Sequence, residues 1–351
     1  MKMKKFCSKT ICNNLTAIYI RAKCVKYKHL SLLCALTGFI VCIICCGCNN
    51  DKKPVSKNTI SGKNILYSIK DSTGYTTYFY DLPRRILPIS NGMTAVVIDL
   101  VDPERILAVS EDNLADGSII KDKARKVKKH FAGWASTEMI IQLKPDLVLM
   151  PETSDITKVQ TLRDLGIPVV ITIAPRNMEQ IQSRVLFTAK AVHAENKGIE
   201  VIAKMNAKLT AIKEMKQKIG NGKKTIIAFS SQGAYGRKGG LFDNLCSVAG
   251  VINGAAGIGL KKMDHLSQEQ IIQINPDFFL LPKVNNDDSY AKEIVENPAY
   301  KGINAVKNKQ YIILEEESYR YTVSQHAADV AYLIADAVYH PYLKKVALFD
   351  Y

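Results

Sequence analysis

Beyond residue 48 the chain contains a single cysteine, Cys246, so its main body can form no internal disulfide. It also lacks the short signatures of common enzyme chemistries: no G-x-G-x-x-G after a strand, no G-x-x-x-x-G-K-S/T, no H-E-x-x-H and no G-x-S-x-G. No catalytic residue and no cofactor is therefore nominated. The several His and carboxylates that converge on a naked metal ion are missing too. His130 and His265 each stand alone, and an isolated histidine is an ordinary hydrogen-bonding residue before it is a ligand. Basic residues occur as the run KDKARKVKK at 121–129 and as scattered helical lysines, without the aromatic interleaving of a nucleic-acid groove, so no nucleic-acid partner is expected.

Acid is absent from the first 47 residues, which hold eight basic ones. The basic leader is followed by LSLLCALTGFIVCIICCG at 30–47, which carries no charge and suits the apolar core of a secretory signal. Cys42-x-x-Cys45 and Cys45-x-x-Cys48 have metal or redox spacing, but they lie in this lipid-like stretch without the polar context such sites need. Gly47-Cys48 followed by NNDKKPVSKN resembles a bacterial lipobox, although Cys45 stands where Leu is usual. A signal peptide over 1–47, lipidation of Cys48 and a flexible polar tether over 48–70 are expected; an uncleaved membrane-spanning helix is the alternative. Removing eight basic and no acidic residues from totals of 48 and 33 leaves the remainder at +7. Charge of that size steers anionic ligands but specifies no pocket.

The remaining chain, 47% apolar over the 351 residues as a whole, is long enough for two domains. Short unalternated apolar runs at 85–89, 106–109, 146–150 and 168–173 alternate with helical or loop segments, as parallel strands of an α/β sheet do. Ile199, Ile202, Met205, Leu209, Ile212 and Ile219 then mark one long amphipathic helix stopped by Gly220-Asn221-Gly222. Strand-like runs resume at 225–229, 277–281 and 311–314. The fold expected is α/β, with two Rossmann-like lobes of mainly parallel sheet at 71–193 and 220–351 joined by a single helix at 194–219. An internal repeat supports it: ASTEMIIQLKPDLVLMPE (135–152) aligns without gaps on LSQEQIIQINPDFFLLPK (266–283), with nine identities in 18 positions. Copies 131 residues apart suit one repeat per lobe.

These features together resemble the substrate-binding proteins of ABC importers for iron-siderophores, haem and cobalamin. The resemblance is carried by DSTGYTTYFYDLPRRILPIS (71–90), by the Glu138 to Leu149 signature ending in PDLVL, by the linking helix and by LFDNLCSVAGVINGAA (241–256). It implies a lipid-anchored extracytoplasmic monomer serving a permease and its ATPase, with an iron chelate or haem as ligand; a corrinoid is the alternative, and a surface sensor, adhesin or enzyme on the same fold stands behind both. It further implies that Glu138 and Glu269, equivalent in the repeat, dock on permease arginines, although a first-turn Glu after Ser136 or Ser267 also suits a helix start. Ligand contacts are expected at the carboxyl ends of the strands. Loops there supply Met93, Trp134, Tyr235, Arg237, Tyr319, Arg320 and Tyr321, whose rings and guanidinium groups suit a flat or anionic chelate.

If Cys48 is the lipidated first residue, intact-mass analysis of membrane-extracted protein will find an N-terminus at Cys48 carrying acyl chains. Recovery of Met1 in the membrane form would leave the uncleaved helix as the anchor.

Overall fold

The structure, a computed structural model, describes residues 64–284, 287–316 and 322–351. Cys48, the leader and most of the expected tether lie outside the described residues, as do Tyr319, Arg320 and Tyr321.

The described chain opens with an antiparallel hairpin, β1 (Tyr67–Lys70) and β2 (Thr76–Phe79), so its first strand falls inside the segment expected to be tether. Asp71 organises the hairpin turn. Its carboxylate accepts from the backbone N–H of Thr73 and Tyr75, from the Thr73 hydroxyl and from the N–H of Ile171 across the lobe. It also pairs at 2.5 Å with the buried Arg163 guanidinium, which stacks 3.8 Å above the Tyr75 ring. Gly74, at φ +84°, lets the turn close where a side chain would be strained.

The first lobe contains β3 (Ile86–Pro88), α1 (Asn91–Ile98), β4 (Val109–Ser110), β5 (His130–Phe131), α2 (Thr137–Leu143), β6 (Leu147–Pro151) and β7 (Val169–Thr172). β3, β6 and β7 pair in parallel in that order, β4 pairs in parallel with β5, and an isolated bridge joins Ile86 to Ile106. α3 (Met178–Ala191) and α4 (Glu195–Ile219) follow as an antiparallel pair. The second lobe contains β8 (Thr225–Ser230), β9 (Gly233–Tyr235), β10 (Ile252–Asn253), α5 (Gln268–Ile274), β11 (Phe278–Lys283), β12 (Tyr311–Glu315) and α6 (Ala327–Tyr339). Its parallel order is β10-β8-β11-β12, with β9 antiparallel to β8.

The strands are continuous apolar runs because both sheet faces are covered. Along β6, Leu147 and Leu149 enter one core while Val148 and Met150 enter the other, and Phe278/Leu280 against Phe279/Leu281 repeat this on β11.

The repeat is reproduced in three dimensions. Ser136 and Ser267 cap α2 and α5 with the same backbone angles, φ −72° and ψ 162°, and both helices end on a left-handed residue, Lys144 or Asn275. The Pro that follows cannot continue a helix. The next residue, Asp146 or Asp277, then ties its lobe's first strand: Asp146 accepts from the N–H of Arg84 and Arg85, and Asp277 from that of Thr225.

α4 is the long connecting helix, 25 residues or about 37 Å, ended by Gly220 at φ +58°. Its buried stripe differs from the one read in the sequence. Val201, Met205, Lys208, Ala211, Ile212 and Met215 point inward, while Ile199 is 62% exposed. A lysine occupies the centre of the stripe because it has anionic partners there: Lys208, 1% exposed, lies 3.2 Å from Asp329 and 3.0 Å from Asp350. Asp329 also faces His326, which stands 3.6 Å from Asp99 at the end of α1. Gln325 donates to Asp99 and to the Ala95 carbonyl, and Lys123 reaches both Asp99 and the Tyr351 carbonyl. One buried polar network therefore joins the first lobe, α4 and α6. α3 spans the lobes as well: Met178 and Ile181 pack in the second-lobe core, Val185 and Ala189 in the first.

Replacing Lys208 with Ala leaves Asp329 buried without its cation and should cost about 3–5 kcal/mol, read as a lowered midpoint in urea unfolding. Two stiff helices crossing between the lobes, rather than flexible strands, should also limit closure to a few degrees of bending. X-ray scattering profiles with and without saturating ligand should nearly superimpose, and a large contraction would contradict this.

Candidate functional site

The loops at the carboxyl ends of the strands line a sizeable open cavity in each lobe; a smaller one of about 280 Å³ beside β7 shares Arg184 with the first-lobe cavity. That of the first lobe, about 470 Å³, takes Gly92, Ser110, Trp134, Thr153 and Pro175 from the segments after β3, β4, β5, β6 and β7. That of the second lobe, about 440 Å³, is lined by Ser230, Tyr235, Arg237, His265 and Glu316 among others. Thr322 borders the second cavity and Val323 the first, so one peptide link connects the two halves.

Four of the residues expected at the ligand are therefore placed by the structure. Trp134, Tyr235 and Arg237 line the cavities; Met93 does not. The segment 90–94, expected as a loop, begins α1, with the Ser90 hydroxyl accepting from the Met93 N–H. Met93 then points into the core, fully buried, with its sulfur near the guanidinium of Arg184 and the hydroxyl of Thr188. Trp134 is 90% exposed, an unusual cost for the largest apolar side chain unless something covers it. Tyr235 packs its ring against Phe242, 5.3 Å between centroids, and burial pushes its phenol well above the ordinary range, so it stays protonated. Arg237 is exposed at the second cavity's edge.

His130 belongs to β5, where its ring approaches the Ala124 carbonyl at 3.4 Å, and it lines neither cavity. His265 does line one. It stands 131 residues after Trp134, the same offset as the repeat, so the two occupy equivalent places, each four residues before its lobe's repeated glutamate. Among the described residues no group of three or more His, Cys, Asp or Glu is arranged to hold a metal ion.

Glu138 and Glu269 are exposed in the first turns of α2 and α5 and line neither cavity. The capping box of α5 is closed by Gln270, which follows Glu269, so the glutamates are not the capping-box residues. Both carboxyls are held below the usual carboxylate range. For Glu138 the main cause is its own backbone N–H, then the Ser136 hydroxyl; for Glu269 it is the Ser267 hydroxyl, then its own N–H.

Arg184 was not read as a site residue. Yet it lines the first-lobe cavity, is 3% exposed, and has no carboxylate within ion-pair distance among the described residues. Its Nη1 donates to the Val323 carbonyl at 3.1 Å, and its Nε has no partner. The signal was present: Arg184 interrupts the apolar face Ile181, Val185, Thr188 of α3, where a cation needs a reason.

A model of the family described as periplasmic binding protein matches residues 91–318. An uncharacterized ABC transporter substrate-binding lipoprotein of Bacillus subtilis, YvrC, is 24% identical over 289 residues, 80% of this chain and 88% of that protein. The periplasmic heme-binding protein RhuT of Roseiflexus sp. RS-1 superposes with a TM-score of 0.59 at 21% identity, covering 72% of this chain and 98% of RhuT. The molybdate periplasmic binding protein MolA of Haemophilus influenzae superposes with a TM-score of 0.67 at 16% identity, covering 79% of this chain and 92% of MolA. At such identities the two structures speak to the fold.

Proposed function

The chain belongs to the periplasmic binding protein family, a family of substrate-binding transport proteins and not of enzymes, and on that premise we propose that it captures an iron chelate, a siderophore or haem, outside the cytoplasm and delivers it to an ABC permease. The observation that carries the delivery step is the duplicated helix start: serine-capped helices, one per lobe, each present an exposed glutamate at the same position. Two carboxylates on separate lobes test the spacing of those lobes by charge complementarity with arginines on a permease. The helix N-termini and serine hydroxyls that hold both carboxyls ionised keep them ready for such a partner.

The capture step is supported by the paired cavities. Trp134 and Tyr235 offer aromatic faces, and Arg237 a guanidinium, to a ligand lying between the carboxyl edges of the two sheets. That a heme-binding and a molybdate-binding protein share this fold supports a planar chelate or an oxyanion as the kind of ligand. YvrC, a lipoprotein by name, adds weight to a lipid anchor at Cys48 and hence to an extracytoplasmic location.

Glu138→Ala and Glu269→Ala should each leave chelate affinity in solution unchanged while lowering transport in vesicles carrying the cognate permease by roughly an order of magnitude. The double variant should be worse, and reversal to Lys worse again. Because both carboxyl pKa values are depressed, the charged forms persist as the pH falls through about 4.3, the ordinary glutamate value, so acidification to that point should not by itself release docking. Normal transport by both single variants would reduce the glutamates to helix-start residues. A parallel loss of chelate affinity would put them in the pocket instead.

A further inference from the structure

Among the described residues, buried lysines and arginines have anions, with one exception. Arg163 has Asp71, and Lys208 has Asp329 and Asp350. Arg184 has only a carbonyl and a thioether sulfur, and its Nε hydrogen is unmatched. An unpaired charge taken out of water lowers stability, so a chain that keeps one there gains something from it other than folding. Burial alone lowers the Arg184 pKa, to about 10, which leaves the guanidinium charged at neutral pH.

The surroundings say where an anion would sit. Val323, whose carbonyl the guanidinium holds, borders the first-lobe cavity. So do Ser90, Asn91 and Gly92, the opening of the eight-residue helix α1, whose free N–H groups and dipole favour negative charge. The Val323 side chain packs closely on the helix start here, since a Cβ on Gly92 would lie 2.1 Å from a Val323 methyl. The acid among the residues lining this cavity, Asp112, is exposed and makes no ion pair with Arg184. Trp134 lines the same cavity. A guanidinium, a helix start and an exposed indole around one cavity fit a ligand with anionic oxygens, carboxylate or catecholate, attached to a flat body.

We propose that Arg184 is the anion seat of the cleft, a guanidinium kept without a carboxylate so that an anionic oxygen of the ligand supplies one. This rests on the substrate-binding reading of the cleft, and it adds a specificity: anionic ligands are taken and neutral ones of similar shape are refused.

The chain's single tryptophan makes the test direct, because Trp134 fluorescence reports occupancy of the cavity that Arg184 lines. The full chain, purified in detergent and free of oxyanion buffers, is titrated with ferric tricatecholate, haemin, molybdate and the neutral ferric trihydroxamate. At least one anionic probe should quench Trp134, and Arg184→Met should weaken that probe about tenfold or more, with Arg184→Lys between the two. Without ligand, Arg184→Met should melt no lower than the parent. The seat is overturned if every anionic probe leaves Trp134 silent, if Arg184→Met binds the quenching probe unchanged, or if that variant melts well below the parent without ligand, which would make Arg184 a brace for Val323. Molybdate bound through Arg184 with both iron chelates refused would uphold the seat and remove the iron-chelate reading. Ferric trihydroxamate bound alone would do the reverse.

Discussion

The geometry of the cleft depends on a buried ion pair far down the primary structure from most of the site. Lys208, at the centre of α4's inward face, is neutralised by Asp329 of α6 and by Asp350. Asp329 shares His326 with Asp99, and Asp99 terminates α1, the helix whose other end opens into the first-lobe cavity. A chain of buried polar contacts thus runs from the connecting helix to the helix that opens the site. Buried charges of this kind tolerate little displacement, because a small separation leaves each desolvated and unmatched. They fix the relative placement of α1, α4 and α6 more sharply than apolar contacts alone, which tolerate repacking.

Against that rigid base the two halves of the site are alike in construction and unlike in chemistry. The repeat gives each lobe the same serine cap, the same left-handed helix end and the same aspartate tying down the first strand. It also puts one residue at each cavity in equivalent register, Trp134 in one lobe and His265 in the other. Equivalent scaffolding thus carries an indole at one cavity and an imidazole at the other. The outward-facing positions, Glu138 and Glu269, are identical. Variation falls on the inward positions and sameness on the outward ones, the division of labour expected where ligand and partner impose separate demands.

Much of this was legible in the sequence, for identifiable reasons. Strands buried on both faces leave unbroken apolar runs, and an eighteen-residue repeat with nine identities survives in print what it does in space. The register of α4 was not legible, because isoleucines at 199 and 202 suggest an inward stripe and only the three-dimensional positions of Asp329 and Asp350 reveal that Lys208 takes it. Met93 was misplaced because Ser90-Asn91-Gly92 reads as a turn, whereas Ser90 is a helix cap that swings Met93 into the core. Nothing in the sequence of 178–191 hints that the two ends of α3 serve different cores. Arg184 escaped for a related reason. A cation in its buried stripe is visible in the sequence, but that no acid stands opposite is visible only in the structure.

The same buried network has a consequence for the order in which the molecule can be made. Asp99 is completed by Gln325, 226 positions later, and Lys123 by the carbonyl of Tyr351, 228 positions later. The first lobe's own core also takes Val201 from α4 and is covered in part by Tyr351. A ribosome delivers these pieces later than the groups they complete. The amino-terminal lobe therefore cannot reach its final packing while the rest of the chain is still being synthesised, and for that interval it stays loosely closed. On the proposed extracytoplasmic location, with the chain threaded through a narrow channel before it folds, such lateness is useful: an earlier segment cannot lock until a later one has arrived.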